Sequence, residues 1–105
     1  MTETLGRLAT IVASRADASP EESHTAALLA AGRAKIAQKV GEEAVETVIA
    51  ALSGDKDALV GESADLLFHL SVLWHEAGVT PDDIDAELAR REGLSGIEEK
   101  ARRAV

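Results

Sequence analysis

The sequence predicts an all-α fold, a bundle of four to five helices whose central antiparallel pair carries the functional site. Apolar residues recur at helical spacing over most of the chain. Hydrophobic residues make up 46% of the 105 residues, yet Phe68 and Trp74 are the only aromatics, so the core is drawn from Ala, Leu, Val and Ile. Such a set suits close-packed helices better than a sheet. Start and stop signals bracket the periodic segments. A chain of this length is expected to form one domain, residues 1–105.

The first helix is predicted over residues 3–16, where Leu5, Leu8, Ile11 and Val12 fall on one face and Thr2 can act as the cap. The segment from Asp17 to Ser23, which contains Ser19-Pro20, breaks this helix. Ser23-His24-Thr25 then opens a short apolar stretch, Ala26 to Ala31, which Gly32 closes. Arg33 to Ser53 reads as one long helix interrupted only by Gly41. An interior glycine costs about 1 kcal/mol relative to Ala and often marks a close backbone approach.

After a turn at Ser53-Gly54-Asp55 the next helix should run over residues 57–77 and stop at Gly78. Its middle, Leu66 to Trp74, is apolar on nearly every side. A helix of that kind needs cover on more than one face, which a small domain struggles to give, so a homodimer or larger homo-oligomer is expected. The fifth helix has the clearest start: Thr80 as N-cap, Pro81 first, Asp83 third and a Val79 to Ile84 staple. It should end near Arg91, leaving a tail with few apolar anchors that is exposed or ordered by a ligand or partner.

Composition narrows the chemistry. A net charge of −8 argues against nucleic acid or an anionic membrane as partner. With no cysteine, disulfides and thiolate metal sites are excluded, leaving oxygen and imidazole as ligands. The N-terminus lacks a basic region followed by an apolar run, and no stretch approaches the ~18 apolar residues of a membrane span. A cytoplasmic protein is expected.

Four carboxylates carry the functional signal. If the chain reverses at Gly54, Glu46 faces Glu62 and Glu43 faces Asp65. Within each helix the two acids, Glu43 with Glu46 and Glu62 with Asp65, are spaced i,i+3 and so stand about one turn apart. Glu43 and Glu46 share their face with Ile36, Lys39, Thr47 and Ala50, while Glu62 and Asp65 share theirs with Leu66, His69 and Leu73. An acidic residue on a helix is ordinarily solvated. Two pairs edged by apolar residues and level across one hairpin are a different matter, because four like charges converge only if a cation neutralises them. Mg²⁺ suits an all-oxygen set and is usually completed by substrate phosphates. A di-iron bundle would require Glu-x-x-His, absent at that offset from either pair. Lys39 either pairs with Glu43 or reaches a phosphate, and His69 either supports a ligand or sits satisfied in the core.

The segment Lys39-Val40-Gly41-Glu42-Glu43-Ala44-Val45-Glu46, with Glu62-Ser63-Ala64-Asp65-Leu66-Leu67-Phe68-His69-Leu70, resembles the phosphoribosyl-ATP pyrophosphatase family of histidine biosynthesis. The wider pattern, Glu-Glu-x-x-Glu then Glu-x-x-Asp, resembles that of the all-α nucleoside triphosphate pyrophosphohydrolases. Ser23-His24-Thr25 with Leu28 and Gly32 is similar to the family's Ser-Tyr-Thr segment, and Arg91, Gly93, Ser95-Gly96 and Glu99-Lys100-Ala101 to its C-terminal signature. His24 and Phe68 stand where tyrosine is common.

The resemblance implies Mg²⁺-dependent hydrolysis of 1-(5-phosphoribosyl)-ATP to the AMP derivative and pyrophosphate. Glu43, Glu46, Glu62 and Asp65 would hold the metal, and Glu43 would thereby belong to the catalytic set with Glu42, which would orient the attacking water or act as its base. Lys39, Arg91, Ser95 and Lys100 would contact the substrate. A general nucleotide pyrophosphohydrolase and a non-catalytic helical dimerisation module are the competing readings.

Overall fold

The computed structural model describes residues 3–93 together with 96 and 100. Among the described residues there are five principal helices and no strand: α1 (Glu3–Arg15), α2 (His24–Ala31), α3 (Arg33–Ser53), α4 (Lys56–Ala77) and α5 (Pro81–Arg91). The predicted all-α class and element order are therefore observed. Thr2, the expected cap of α1, lies outside the described residues.

Local chemistry explains each boundary. Ser23 caps α2, its hydroxyl accepting from the Ala26 amide at 3.2 Å. Asp55 caps α4 by accepting from the amides of Asp57 at 3.0 Å and Ala58 at 3.2 Å, which starts that helix at Lys56, one residue earlier than its apolar pattern suggests. Between α3 and α4 the chain reverses at Gly54, whose φ of 77° lies in the left-handed region that costs other residues roughly 1–2 kcal/mol. At α5 the expected capping box is complete: Thr80 Oγ1 accepts from the Asp83 amide at 3.1 Å, and Asp83 accepts from the Thr80 amide at 2.9 Å.

The hairpin of α3 and α4 is the spine. Each helix is roughly 32 Å long at 1.5 Å per residue, and the other three cover only part of that length. The core, Val12, Leu28, Ile36 and Val72, with Leu8, Leu29, Phe68 and Leu73 packed against it, gathers at the end of the hairpin away from the turn. There α1 and α2 lie against the spine, and an Arg33 to Glu76 ion pair links the start of α3 to the end of α4.

Toward the turn the spine is bare. Val45, Val48, Ile49 and Leu52 project from α3, Leu52 with 84% of its surface exposed, and Val60 and Leu67 project from α4. The sequence places the need for cover in the middle of α4, where His69, Ser71 and Val72 are in fact buried within this one chain. Most of the uncovered apolar surface belongs to α3 instead. Gly41 also departs from expectation: a Cβ there would meet nothing within 4 Å, so no close backbone approach within the chain explains it. Its spacing puts it on the same outward stripe as Val45, Val48 and Leu52. No helix among the described residues is long and apolar enough to cross a membrane.

Candidate metal centre

The carboxylates sit on the spine where its covered end meets its bare one. Across the hairpin there, the Thr47 hydroxyl reaches the Glu62 carbonyl oxygen at 3.3 Å. This is within one residue of the facing expected from a reversal at Gly54. One carboxylate oxygen from each of Glu43, Glu62 and Asp65 lies within 4.8 Å of the others. Glu46 is within hydrogen-bonding reach of both Glu43 and Glu62 but stands outside that tight group of three and is exposed.

The electrostatics are those of crowded like charges. Burial, followed by the Glu46 hydrogen bond and charge, raises the pKa of Glu43; the Asp65 charge adds to the rise and His69 opposes it. Glu62 is raised by burial first, then by Glu46, Asp65 and Glu43. The burial is local: one oxygen of Glu43 and one of Glu62 are shut off from solvent with no hydrogen-bond partner, although both residues are half-buried as a whole. Orphaned carboxylate oxygens are costly unless something positive meets them. Their spacing fits a hard divalent ion, since Mg–O distances of about 2.1 Å place opposite ligands of an octahedron roughly 4.2 Å apart.

His69 is buried one turn beyond Asp65, its Nδ1 2.8 Å from the Asp65 carbonyl oxygen. A carbonyl only accepts, so Nδ1 carries the proton and donates. The ring lies edge-on to Phe68 at 5.1 Å, and His24 stacks on the same Phe68 ring at 6.0 Å and 17°. His24 and Phe68 are thus in ring contact with each other, a pairing between α2 and α4 that no spacing within one helix reveals.

The remaining candidates lie away from the cluster of three. Lys39 pairs with Glu42 at 3.4 Å, an i,i+3 contact in place of the i,i+4 pairing with Glu43 that the spacing allows. Glu42 is exposed and also accepts from Gln38 at 2.9 Å; these hydrogen bonds, Gln38 first and then Lys39, lower its pKa and make it a weaker base than an ordinary carboxylate. Arg91 is exposed on α5, which packs on α1, and stands 3.5 Å from Glu87. Lys100 is exposed, while Ser95, Glu99 and Ala101 lie outside the described residues.

Sequence reasoning missed a cavity of about 290 Å³ beside the centre, lined by Glu46, Ile49, Ala50, Ser53, Ala58 and Glu62. Its signal was available: Ala50 and Ser53 follow Glu46 at helical spacing, and Ala58 precedes Glu62 by one turn.

Residues 5–92 match the family model described as phosphoribosyl-ATP pyrophosphohydrolase. A protein of Paramagnetospirillum magneticum named phosphoribosyl-ATP pyrophosphatase is 63% identical over 95% of this chain and 92% of its own. One of Rhizorhabdus wittichii with the same name is 60% identical over 98% of this chain and 97% of its own, and one of Sphingopyxis alaskensis is 59% identical over 99% and 96%. A match that runs from α1 through α5, with relatives about 60% identical over nearly their whole length, leaves one conclusion: the chain belongs to the phosphoribosyl-ATP pyrophosphohydrolase family.

Proposed function

We propose that this protein is a Mg²⁺-dependent hydrolase that converts phosphoribosyl-ATP to phosphoribosyl-AMP and pyrophosphate in histidine biosynthesis, in the cytoplasm and as a homodimer. The convergence of Glu43, Glu62 and Asp65, with two orphaned oxygens and no cation of the protein's own paired to them among the described residues, supports the reading. The names of the relatives suggest the substrate.

Hydrolysis joins a water oxygen to phosphorus and breaks the bond from that phosphorus to the bridging oxygen, releasing pyrophosphate and a proton. Glu43, Glu62 and Asp65, joined by Glu46, would hold Mg²⁺, which when bound neutralises charge on the triphosphate and on the leaving pyrophosphate. Lys39, one turn before Glu43, offers its ammonium to a phosphate oxygen, and Glu42 holds that ammonium in place. Glu42 can also orient the water; its lowered pKa favours this over proton removal. The cavity lined by Ile49, Ala50 and Ala58 gives an apolar wall for the part of the substrate that is not phosphate. Arg91, Ser95 and Lys100 would contact the phosphoribosyl end.

A second copy of the chain is the cover for Val45, Val48, Ile49, Leu52, Val60 and Leu67, a contiguous apolar face too extensive for a lone small domain. Because Ile49 belongs both to that face and to the cavity, the second copy would help enclose the site.

The deciding assay is pyrophosphate release from phosphoribosyl-ATP, from ATP and from noncanonical triphosphates, each with Mg²⁺ and with chelator. Release from phosphoribosyl-ATP alone, and only with Mg²⁺, is the expected result. Comparable turnover of the other triphosphates would make this a general pyrophosphohydrolase, and no turnover of any would make it a binding module.

A further inference from the structure

We propose that Thr47 is a positioning residue for the carboxylate centre, tying the backbone of one ligand-bearing helix to that of the other; this rests on the Mg²⁺ reading above. The Thr47 hydroxyl stands 2.7 Å from the Glu43 carbonyl oxygen, one turn back on α3, and 3.3 Å from the Glu62 carbonyl oxygen on α4. Both acceptors belong to residues whose carboxylates converge in the centre. A hydroxyl has one proton, so the two carbonyls share it, with the shorter bond to Glu43.

Neither helix needs this bond. Each carbonyl is already within reach of its own ladder partner four residues on, so the hydroxyl adds a link between helices rather than completing one. Besides the Glu46 to Glu62 contact, which two carboxyl groups can make only around a shared proton and not when both are ionised, the other side-chain link between α3 and α4 among the described residues is the Arg33 to Glu76 ion pair, at the far end of the spine. Near the centre, the axial position of Glu43 against Glu62 is therefore held by apolar packing and by Thr47. Apolar contact is non-directional and tolerates sliding. A hydrogen bond is directional and does not. Magnesium demands near-ideal octahedral geometry, so a small axial slip between the helices is felt at the ion.

Valine keeps the branched shape and χ1 preference of threonine and removes the hydroxyl, whereas serine keeps the hydroxyl and removes the methyl group. The experiment is calorimetric titration of Mg²⁺ into metal-free wild type, Thr47→Val and Thr47→Ser, with urea unfolding of each in chelator. Thr47→Val is expected to bind Mg²⁺ about fivefold more weakly, equivalent to about 1 kcal/mol. Thr47→Ser is expected to bind within about twofold of wild type, because it keeps the interhelical hydrogen bond. In turnover, Thr47→Val should need more Mg²⁺ for half-maximal rate and reach the wild-type rate at saturation.

Equal Mg²⁺ affinity in wild type and Thr47→Val overturns the proposal, as does equal weakening in Thr47→Ser, which would assign the effect to the methyl group. Wild type that binds no Mg²⁺ overturns the metal reading itself, a result distinguishable from either. Should Thr47→Val fail to fold, Thr47→Ala against Thr47→Ser carries the same comparison.

Discussion

At the scale of single residues, the centre is a set of acids held closer than they would choose. Glu43 and Glu62 are pushed up in pKa by burial first and then by Glu46 and Asp65, so in the metal-free protein each binds its proton more tightly folded than unfolded. The sign follows from linkage. Both protonated forms are tolerated below the ordinary carboxylate range near pH ~4.3, and stability is lost as pH rises from there through the raised folded values. Thermal melting in chelator should therefore show wild type falling away from Glu62→Gln as pH rises, with the variant the more stable at neutral pH. Identical pH profiles would show that no repulsion is stored there. In Mg²⁺ the order should reverse: wild type gains melting temperature, and Glu62→Gln and Asp65→Asn gain none and lose pyrophosphate release at least about a hundredfold, in keeping with the loss of a transition-state charge partner. A second residue-level expectation concerns Arg91, proposed above as a substrate contact. Arg91→Ala should raise KM for phosphoribosyl-ATP several-fold, about 1 kcal/mol of lost charge-assisted binding, with kcat little changed; an unmoved KM would leave Arg91 to its contact with Glu87.

Helices are the scale at which the sequence was most legible. Residue spacing alone gave the bounds of α3 and the capping box of α5, because local donors and acceptors decide those boundaries. It also put Glu46 close to Glu62, since a tight turn leaves little freedom of register. What could not be read within one helix was what another brings to it, as His24 from α2 comes onto Phe68 of α4; nor could the choice of Glu42 over Glu43 by Lys39, within α3 itself, where a one-residue preference depends on side-chain rotamers. Glycine was misread for a related reason. Gly41 has the right residue type for close approach, but the chain supplies nothing to approach it. The Asp55 cap gives this scale its prediction. Asp55→Ala removes two amide contacts and should cost about 1 kcal/mol by urea unfolding. Mg²⁺ affinity should stay near that of wild type, because the acids lie a turn or more away; a matching loss of affinity would mean that the turn, rather than Thr47 and packing, sets the register.

For the whole molecule, the division of the spine into a covered half and a bare half is the dominant fact. The core gathers Val12, Leu28, Ile36 and Val72 at one end, and Val48, Ile49 and Leu52 are left in water at the other. Sequence reasoning expected a partner but located the need on α4, because it counted apolar residues without knowing that α1 and α2 would satisfy them. Light scattering should report a dimer for wild type. Val48→Glu or Leu52→Glu should shift it to monomer and lower turnover by at least about tenfold, because a charge buried at an interface costs several kcal/mol and the cavity at Ile49 would lose its lid. A variant that is monomeric and fully active would confine the site to one chain.

Every acid of the centre lies on a single uninterrupted stretch, from Glu43 to Asp65, folded back on itself at Gly54. A nascent chain therefore presents the complete ligand set as soon as α4 has formed, before α5 exists. Any ion that prefers the closed hairpin would favour its closure in proportion to concentration over dissociation constant. Magnesium supply in the cell would then govern how readily the protein matures, as well as how fast it turns over.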